Sequence, residues 1–238
     1  MSKRVLRHTP TARAQKPARA KPAAPSRVTR AAPVTRVNSA RQDAILAAAL
    51  RCFGTRGRGY ERTTMADVRR EAGASTGSIY HHFKSKEQLA AVLFLEGVRL
   101  AQEQGLVRLL RESSAERGIR AVVGSYLDWV EENPEWARFL LSMRDATFIH
   151  LAEQGLASLN RGMARDAATW FEQHAAQRTL RAIDPSLLSA ILFGPASQFA
   201  RQWLNRTTRV SMRAAKAELG RAAFHALKAA GQADGAEA

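Results

Sequence analysis

Cysteine is almost missing from this chain: Cys52 stands alone among 238 residues. One thiol cannot close a disulfide framework or build a cysteine-based metal site within the chain, and it suits a reducing cytoplasm. Long apolar runs are missing too. No stretch of about 18 apolar residues occurs, so no membrane span is expected, and the opening "MSKRVLRHTP" lacks the apolar core of a secretory signal. Neither a repeat nor the apolar–polar alternation of strands is found. Acid is missing from the N-terminal end. Residues 1–38 hold ten Lys/Arg and no Asp/Glu, whereas 91–238 hold eighteen basic and sixteen acidic residues. The net charge of +16 is therefore weighted toward the N-terminal end. A polyanion is the first partner this implies, and nucleic acid is the first polyanion to consider.

What is present begins with that basic segment. Residues 1–38 hold five of the eight prolines and no aromatic residue, too little apolar area to offset the entropy of ordering, so a disordered arm is expected. Two readings compete for it, a DNA-tracking arm and a solvated leader without a sequence role. A transit peptide ranks third, because the prolines break the amphipathic helix it requires. Residues 231–238 are expected to be disordered as well. Between the two, helical periodicity dominates. Ile45, Leu46, Ala49, Leu50 and Phe53 recur at three- and four-residue steps. Thr64-x-x-Asp67 supplies a hydroxyl and an acid for free N–H groups at a helix start, Ser75 can cap the next helix, and Ser85-x-x-Gln88 opens a long fourth one. Beyond it, helical patterning runs to about Leu227, punctuated at 112–118, 132–136, 181–186 and 205–211. The fold class read from this is all-α.

Residues 73–77, "GASTG", fit G-x-S-x-G, the pattern of a hydrolase nucleophile elbow. An elbow needs an apolar strand entering the turn. The preceding Ala66–Ala72 is a charged helical turn, and no base is identifiable for Ser75. Helix, tight glycine turn, helix is instead the geometry that lays its second helix in the major groove. That second helix carries Thr76, Gly77, Ser78 and Tyr80 where a purely structural helix would carry Ala, Leu, Glu or Lys. Small residues permit close approach to the groove floor, and hydroxyls can bond phosphates or base edges. Ile79 and Phe83 supply its inward face.

With these residues in view, Arg41–Leu95 resembles the N-terminal DNA-binding domain of the tetracycline-repressor (TetR) family of bacterial transcription regulators. The resemblance rests on Gly59-Tyr60, Thr63-Thr64, Ala72-Gly73-x-Ser75, Ile79-Tyr80-x-His82-Phe83 and Ser85-Lys86-Glu87-x-Leu89. It implies a DNA-binding set. Thr64 would bond a phosphate. Ser75, Thr76, Gly77 and Ser78 would lead the recognition helix into the groove, Tyr80 and His81 would reach phosphate or base edges, and Lys86 would clamp a phosphate. A core aromatic is the competing reading of Tyr80, and a packed residue is preferred for both His82 and Phe83. Three places depart from the family pattern: "GTRGR" (54–58) is two residues long for its turn, Arg69 replaces a small residue, and Ala74 replaces valine.

The domain organisation expected is a basic arm (1–38), a helix-turn-helix domain (39–90), a larger helical ligand-binding and dimerisation domain (91–230) and a short tail (231–238). Candidate ligand-pocket residues are Trp129, Trp136, Phe139, Met143, Phe148, Trp170 and Phe193, with Arg144, Asp145 and His150 as polar candidates, although aromatics at this spacing more often form core. The segment 185–204 is apolar around most of its circumference and pairs with 212–230. Leu188, Ile191, Phe199, Trp203, Leu219 and Phe224 are the candidate dimer interface. Gly194-Pro195 leaves two readings, one dimer helix bent in the middle, which is preferred, or two helices. No cofactor, metal or catalytic residue is read. The expected function is a cytoplasmic, nucleoid-associated, sequence-specific regulator. It would act as a homodimeric repressor on a pseudo-palindromic operator in double-stranded DNA, released by a small, largely apolar effector. The alternatives are a nonspecific nucleoid protein and, further behind, an all-α enzyme.

Overall fold

The computed structural model describes residues 40–55, 59–143 and 148–230, and every regular element among them is an α-helix. The expected arm, the tail 231–238, Arg144, Asp145 and the glycine–arginine turn at 56–58 lie outside the described residues. Local chemistry sets the first helix starts. Helix α1 (Ala40–Phe53) has Asp43 in its first turn and Arg51 in its last, the favourable signs for its dipole. Helix α2 (Met65–Glu71) opens on a full capping box: Thr64 Oγ1 accepts from the Asp67 N–H, and the Asp67 carboxylate accepts from the Thr64 N–H at 3.0 Å. Helix α3 (Thr76–His82) opens on Ser75, whose Oγ accepts from the Ser78 N–H at 3.1 Å. Helix α4 (Lys86–Leu110) opens on Ser85, and Gln88 Oε1 reaches back to the Lys84 N–H at 2.7 Å.

Five helices make the body: α5 (Ala115–Glu132), α6 (Pro134–Ser142), α7 (Ile149–Ala176), α8 (Pro185–Leu204) and α9 (Met212–Leu227). Ser114 and Ser211 cap α5 and α9, and α6 begins on Pro134, where a missing N–H costs nothing. The α6–α7 break, between Ser142 and Ile149, has neither glycine nor proline, and periodicity does not mark it. Helix α8 stays one helix through Pro195, as the preferred reading has it.

Two apolar clusters organise the chain, and α4, about 37 Å long at 1.5 Å per residue, contributes to both. Leu89, Leu93 and Phe94 from its first half join Ile45, Phe53, Tyr60, Val68, Ile79 and Phe83. Leu109, together with Ala101 and Leu106, joins the α5, α8 and α9 residues of the second cluster. The first cluster is completed by residues from the body. Phe139 packs on Phe53 with ring centres 5.7 Å apart, and Phe148 packs on Tyr60 at 5.2 Å and Phe94 at 6.4 Å.

This arrangement bears on the pocket expectation. Phe139, Met143 and Phe148 are buried in the cluster beneath the first helices, and Trp129 and Trp170 are buried in the second. All five are packed as core rather than arranged around an open cavity. Trp136 and Phe193 are partly buried; Trp136 faces Gly97, and Phe193 packs on Tyr126 with ring centres 5.5 Å apart. Two open surface depressions, of about 340 and about 320 Å³, are lined by Arg51, Cys52, Thr55, Glu71 and Glu135 and by residues 132–136; of the candidates only Trp136 borders one. Large rings at helical spacing fill the space between these helices. On α8, Leu192, Ala196, Ala200 and Leu204 point inward and are buried. The dimer candidates Leu188, Ile191, Phe199, Trp203, Leu219 and Phe224 are each partly buried against the second cluster, and Leu187 beside them is 53 % exposed.

Candidate nucleic-acid interface

The turn between α2 and α3 is built by backbone geometry. Gly73 takes φ +57°, which residues with a Cβ avoid. Its N–H donates to the Arg70 carbonyl at 3.2 Å and the Ala74 N–H donates to the Arg69 carbonyl at 3.0 Å, the paired bonds of a Schellman end. Ala74 is buried at the corner, and Ser75 at once caps α3. Gly73 therefore stops one helix and Ser75 starts the next. Ser75 Oγ accepts from the Ser78 N–H as a cap does, in a turn between two helices.

Helix α3 is anchored from below by Ile79, fully buried, and by Phe83 just past its end, 1 % exposed. Its outer side gathers Thr76, Gly77, Tyr80 and His81, all exposed, with Ser78 half-buried at the edge. Tyr80, at 44 % exposure, is a surface residue, so the core-aromatic reading does not hold for it. His82 is half-buried, between His81 at 5.1 Å and Phe83 at 6.5 Å. Thr64 is exposed at the start of α2, where that helix's free N–H groups lie, and its hydroxyl is engaged with Asp67 Oδ2 at 2.8 Å.

Lys86 is half-buried. Its ammonium donates to the Tyr60 carbonyl at 3.3 Å and the Thr63 carbonyl at 3.2 Å, and it lies 4.2 Å from the centre of the Tyr60 ring. Two carbonyls and a ring face draw the cation inward, so Lys86 ties α4 to the turn before α2. Burial, with the Glu87 and Glu61 carboxylates nearby, pushes the Tyr60 hydroxyl up to about 12. Tyr60 is thus a neutral floor beneath this corner.

The surrounding charge is positive. Arg62, Arg69 and Lys84 have no acidic partner among the described residues, whereas Arg70 is paired with Asp67 and Arg51 with Glu71. Arg41, which the periodicity merely turned away from the apolar face of α1, reaches the α2–α3 turn. Its Nη2 donates to the Gly73 carbonyl at 3.1 Å and its Nε donates to Ser78 Oγ at 3.3 Å. Nothing local signals this, since the partners lie 32 and 37 residues away. Among the described residues no group of three or more His, Cys, Asp or Glu could hold a metal ion, and no helix is long and apolar enough to cross a membrane.

Comparison with known proteins agrees with this geometry. Residues 45–93 match the family model described as bacterial regulatory proteins, tetR family. The HTH-type transcriptional repressor AcnR of Corynebacterium diphtheriae is 40% identical over 81 residues, which cover 32% of this chain and 42% of that protein. The chain spans about half or less of the length of the curated relatives it matches. Solved structures match over far more. A TetR family transcription regulator from Marinobacter aquaeolei aligns with a TM-score of 0.66 at 17% identity, over 79% of this chain and 96% of that one. The transcriptional regulator FadR from Bacillus subtilis, solved in complex with stearoyl-CoA, aligns with a TM-score of 0.61 at 16% identity, over 76% and 97%. The structural likeness extends the shared fold through the body, and the sequence match lies in the helices that carry the turn. What the chain shares with the tetR family of bacterial regulatory proteins is thus the sequence of these helices, within residues 45–93, and the fold of its solved members.

Proposed function

We propose that this protein is a sequence-specific DNA-binding transcriptional regulator. It acts as a homodimeric repressor on a pseudo-palindromic operator and is released when a small, largely apolar effector binds its body. The observation that carries the reading is the outer side of α3: Thr76, Gly77, Ser78, Tyr80 and His81 are small or hydrogen-bonding, above a fixed apolar anchor of Ile79 and Phe83. Two copies of that helix would enter successive major grooves about 34–36 Å apart. Thr64 would contribute phosphate contacts from the start of α2, with Arg62 and Lys84 nearby, and Ser75 would lead α3 in. Such a protein works at the nucleoid, in the cytoplasm.

The partly buried apolar residues of α8 and α9, with exposed Leu187, support pairing of two copies, because a monomer leaves that surface in water. For the effector, the B. subtilis FadR complex offers the chemical class: a long apolar chain. In this chain such a ligand would have to part packed helices, for instance α4 from α6 by displacing Trp136 from Gly97. It would weaken DNA binding only by its preference for the parted form, with about 1.4 kcal/mol of preference giving a tenfold change.

Salt titration separates the readings. The full chain should prefer a duplex enriched from a random library over a scrambled one by at least about a thousandfold at physiological salt. Equal affinity would overturn the regulator reading in favour of a nonspecific nucleoid protein held by phosphate contacts alone.

A further inference from the structure

We propose that Arg41 is a positioning residue for the DNA-reading surface, one that commits the Ser78 hydroxyl to donate to an acceptor on the duplex; this rests on the DNA-binding reading above. A serine hydroxyl has one proton and two lone pairs, so what occupies the oxygen decides what it can read. Here the Arg41 Nε–H points at Ser78 Oγ from 3.3 Å, a charge-assisted contact that occupies one lone pair. The nearby positive charge discourages a second donor at the same oxygen. The Ser78 N–H is already used, donating to Ser75 Oγ at 3.1 Å. Among the described residues the Ser78 hydroxyl proton has no acceptor, so it is left for one outside the chain. Guanine O6 and N7, adenine N7, thymine O4 and phosphate oxygens are such acceptors in a major groove, and the amino groups of cytosine and adenine are not.

The same guanidinium fixes where that hydroxyl sits. Its Nη2 holds the carbonyl of Gly73, the residue whose left-handed backbone sets the angle between α2 and α3. One planar fork therefore spans the turn and the recognition helix at once, which a lysine ammonium, a single point on a flexible stem, does not reproduce. Arg41 is exposed, as are Thr76 and Gly77.

The test uses the full chain. Enrichment from a randomised duplex library defines the wild-type motif. Affinities for that motif and for a scrambled duplex are then measured for wild type, Arg41→Lys, Arg41→Gln, Ser78→Ala and the Arg41→Lys/Ser78→Ala double variant, with helicity checked by circular dichroism. Arg41→Lys and Ser78→Ala should each weaken motif binding about tenfold, the scale of one charge-assisted hydrogen bond. The double variant should be no weaker than Ser78→Ala, and repeated enrichment should relax the same base position in both single variants. Because Arg41→Lys keeps its charge, its scrambled-duplex affinity and salt slope should stay at wild-type values, while Arg41→Gln should lose the same base position. Equal losses on both duplexes, or losses that multiply to about a hundredfold in the double variant, would make Arg41 a phosphate contact and overturn the proposal. An enriched wild-type motif that Arg41→Lys leaves unchanged sinks this inference alone. Enrichment of no motif by the wild type sinks the regulator reading, and this one with it.

Discussion

Gly77 has nothing but its own helix backbone and chain neighbours within 4 Å of where a side chain would begin. Nothing inside the protein therefore asks for glycine there, and helix propensity argues against it by up to about 1 kcal/mol relative to alanine. If a groove floor is what asks for it, Gly77→Ala should raise the melting temperature by a few degrees and weaken binding to the enriched duplex several-fold, Gly77→Leu much more. Thermal denaturation and DNA titration on the same samples check this, and undiminished affinity would remove Gly77 from the contact surface. At this scale the sequence was readable where partners are three residues apart. Thr64, Ser75 and Ser85 were assigned as caps from spacing alone, and each accepts the expected N–H. It was not readable where partners are distant. Lys86 turns inward toward Tyr60 and Thr63, 26 and 23 residues back, and no local pattern encodes such a contact.

Helices, the next scale up, were legible because each has an apolar face and most have a polar start. What periodicity does not carry is which neighbour a face meets. Phe139 and Phe148 sit at helical spacing like any pocket or core aromatic, and only the packed chain assigns them to the rings of Phe53, Tyr60 and Phe94. The break between α6 and α7 was missed for a related reason, since no glycine or proline announces it. Close approach between helices depends on single residues. A Cβ on Gly97 would lie 2.7 Å from Trp136 Cε3 and 3.1 Å from Leu140 Cδ2, so α4 touches α6 here because glycine leaves the room. Gly97→Ala should cost about 1–3 kcal/mol from overpacking, more than its gain in helix propensity offsets. Urea denaturation followed by tryptophan fluorescence would measure it. A stabilised variant would mean the indole moves aside freely, and the α4–α6 contact could not then act as a tight junction for an effector to open.

For the molecule as a whole, the decisive expectation is pairing. Leu187 and Ile191 lie four residues apart on α8, one exposed and one partly buried. Leu187→Arg with Ile191→Arg should raise the dimer dissociation constant at least about a hundredfold, since two desolvated cations facing their symmetry mates are strongly unfavourable. Sedimentation equilibrium reads the result directly, with retained helicity as the control. A wild-type chain that sediments as a monomer at micromolar concentration would contradict the two-headed mechanism. The charge gradient pointed to a nucleic-acid partner before any motif did, because it needs only counting. The boundary between the first four helices and the body was less legible, for the aromatic layer beneath the first helices takes residues from both.

That shared layer has a practical corollary for anyone building chimeras. A splice at residue 90 would take away Phe139 and Phe148, both fully buried, and open the undersides of Phe53 and Tyr60 to water. At about 1.5–3 kcal/mol for each large side chain left uncovered, a transplanted head would arrive partly unmade unless the donor's own α6 and the first turn of α7 travelled with it.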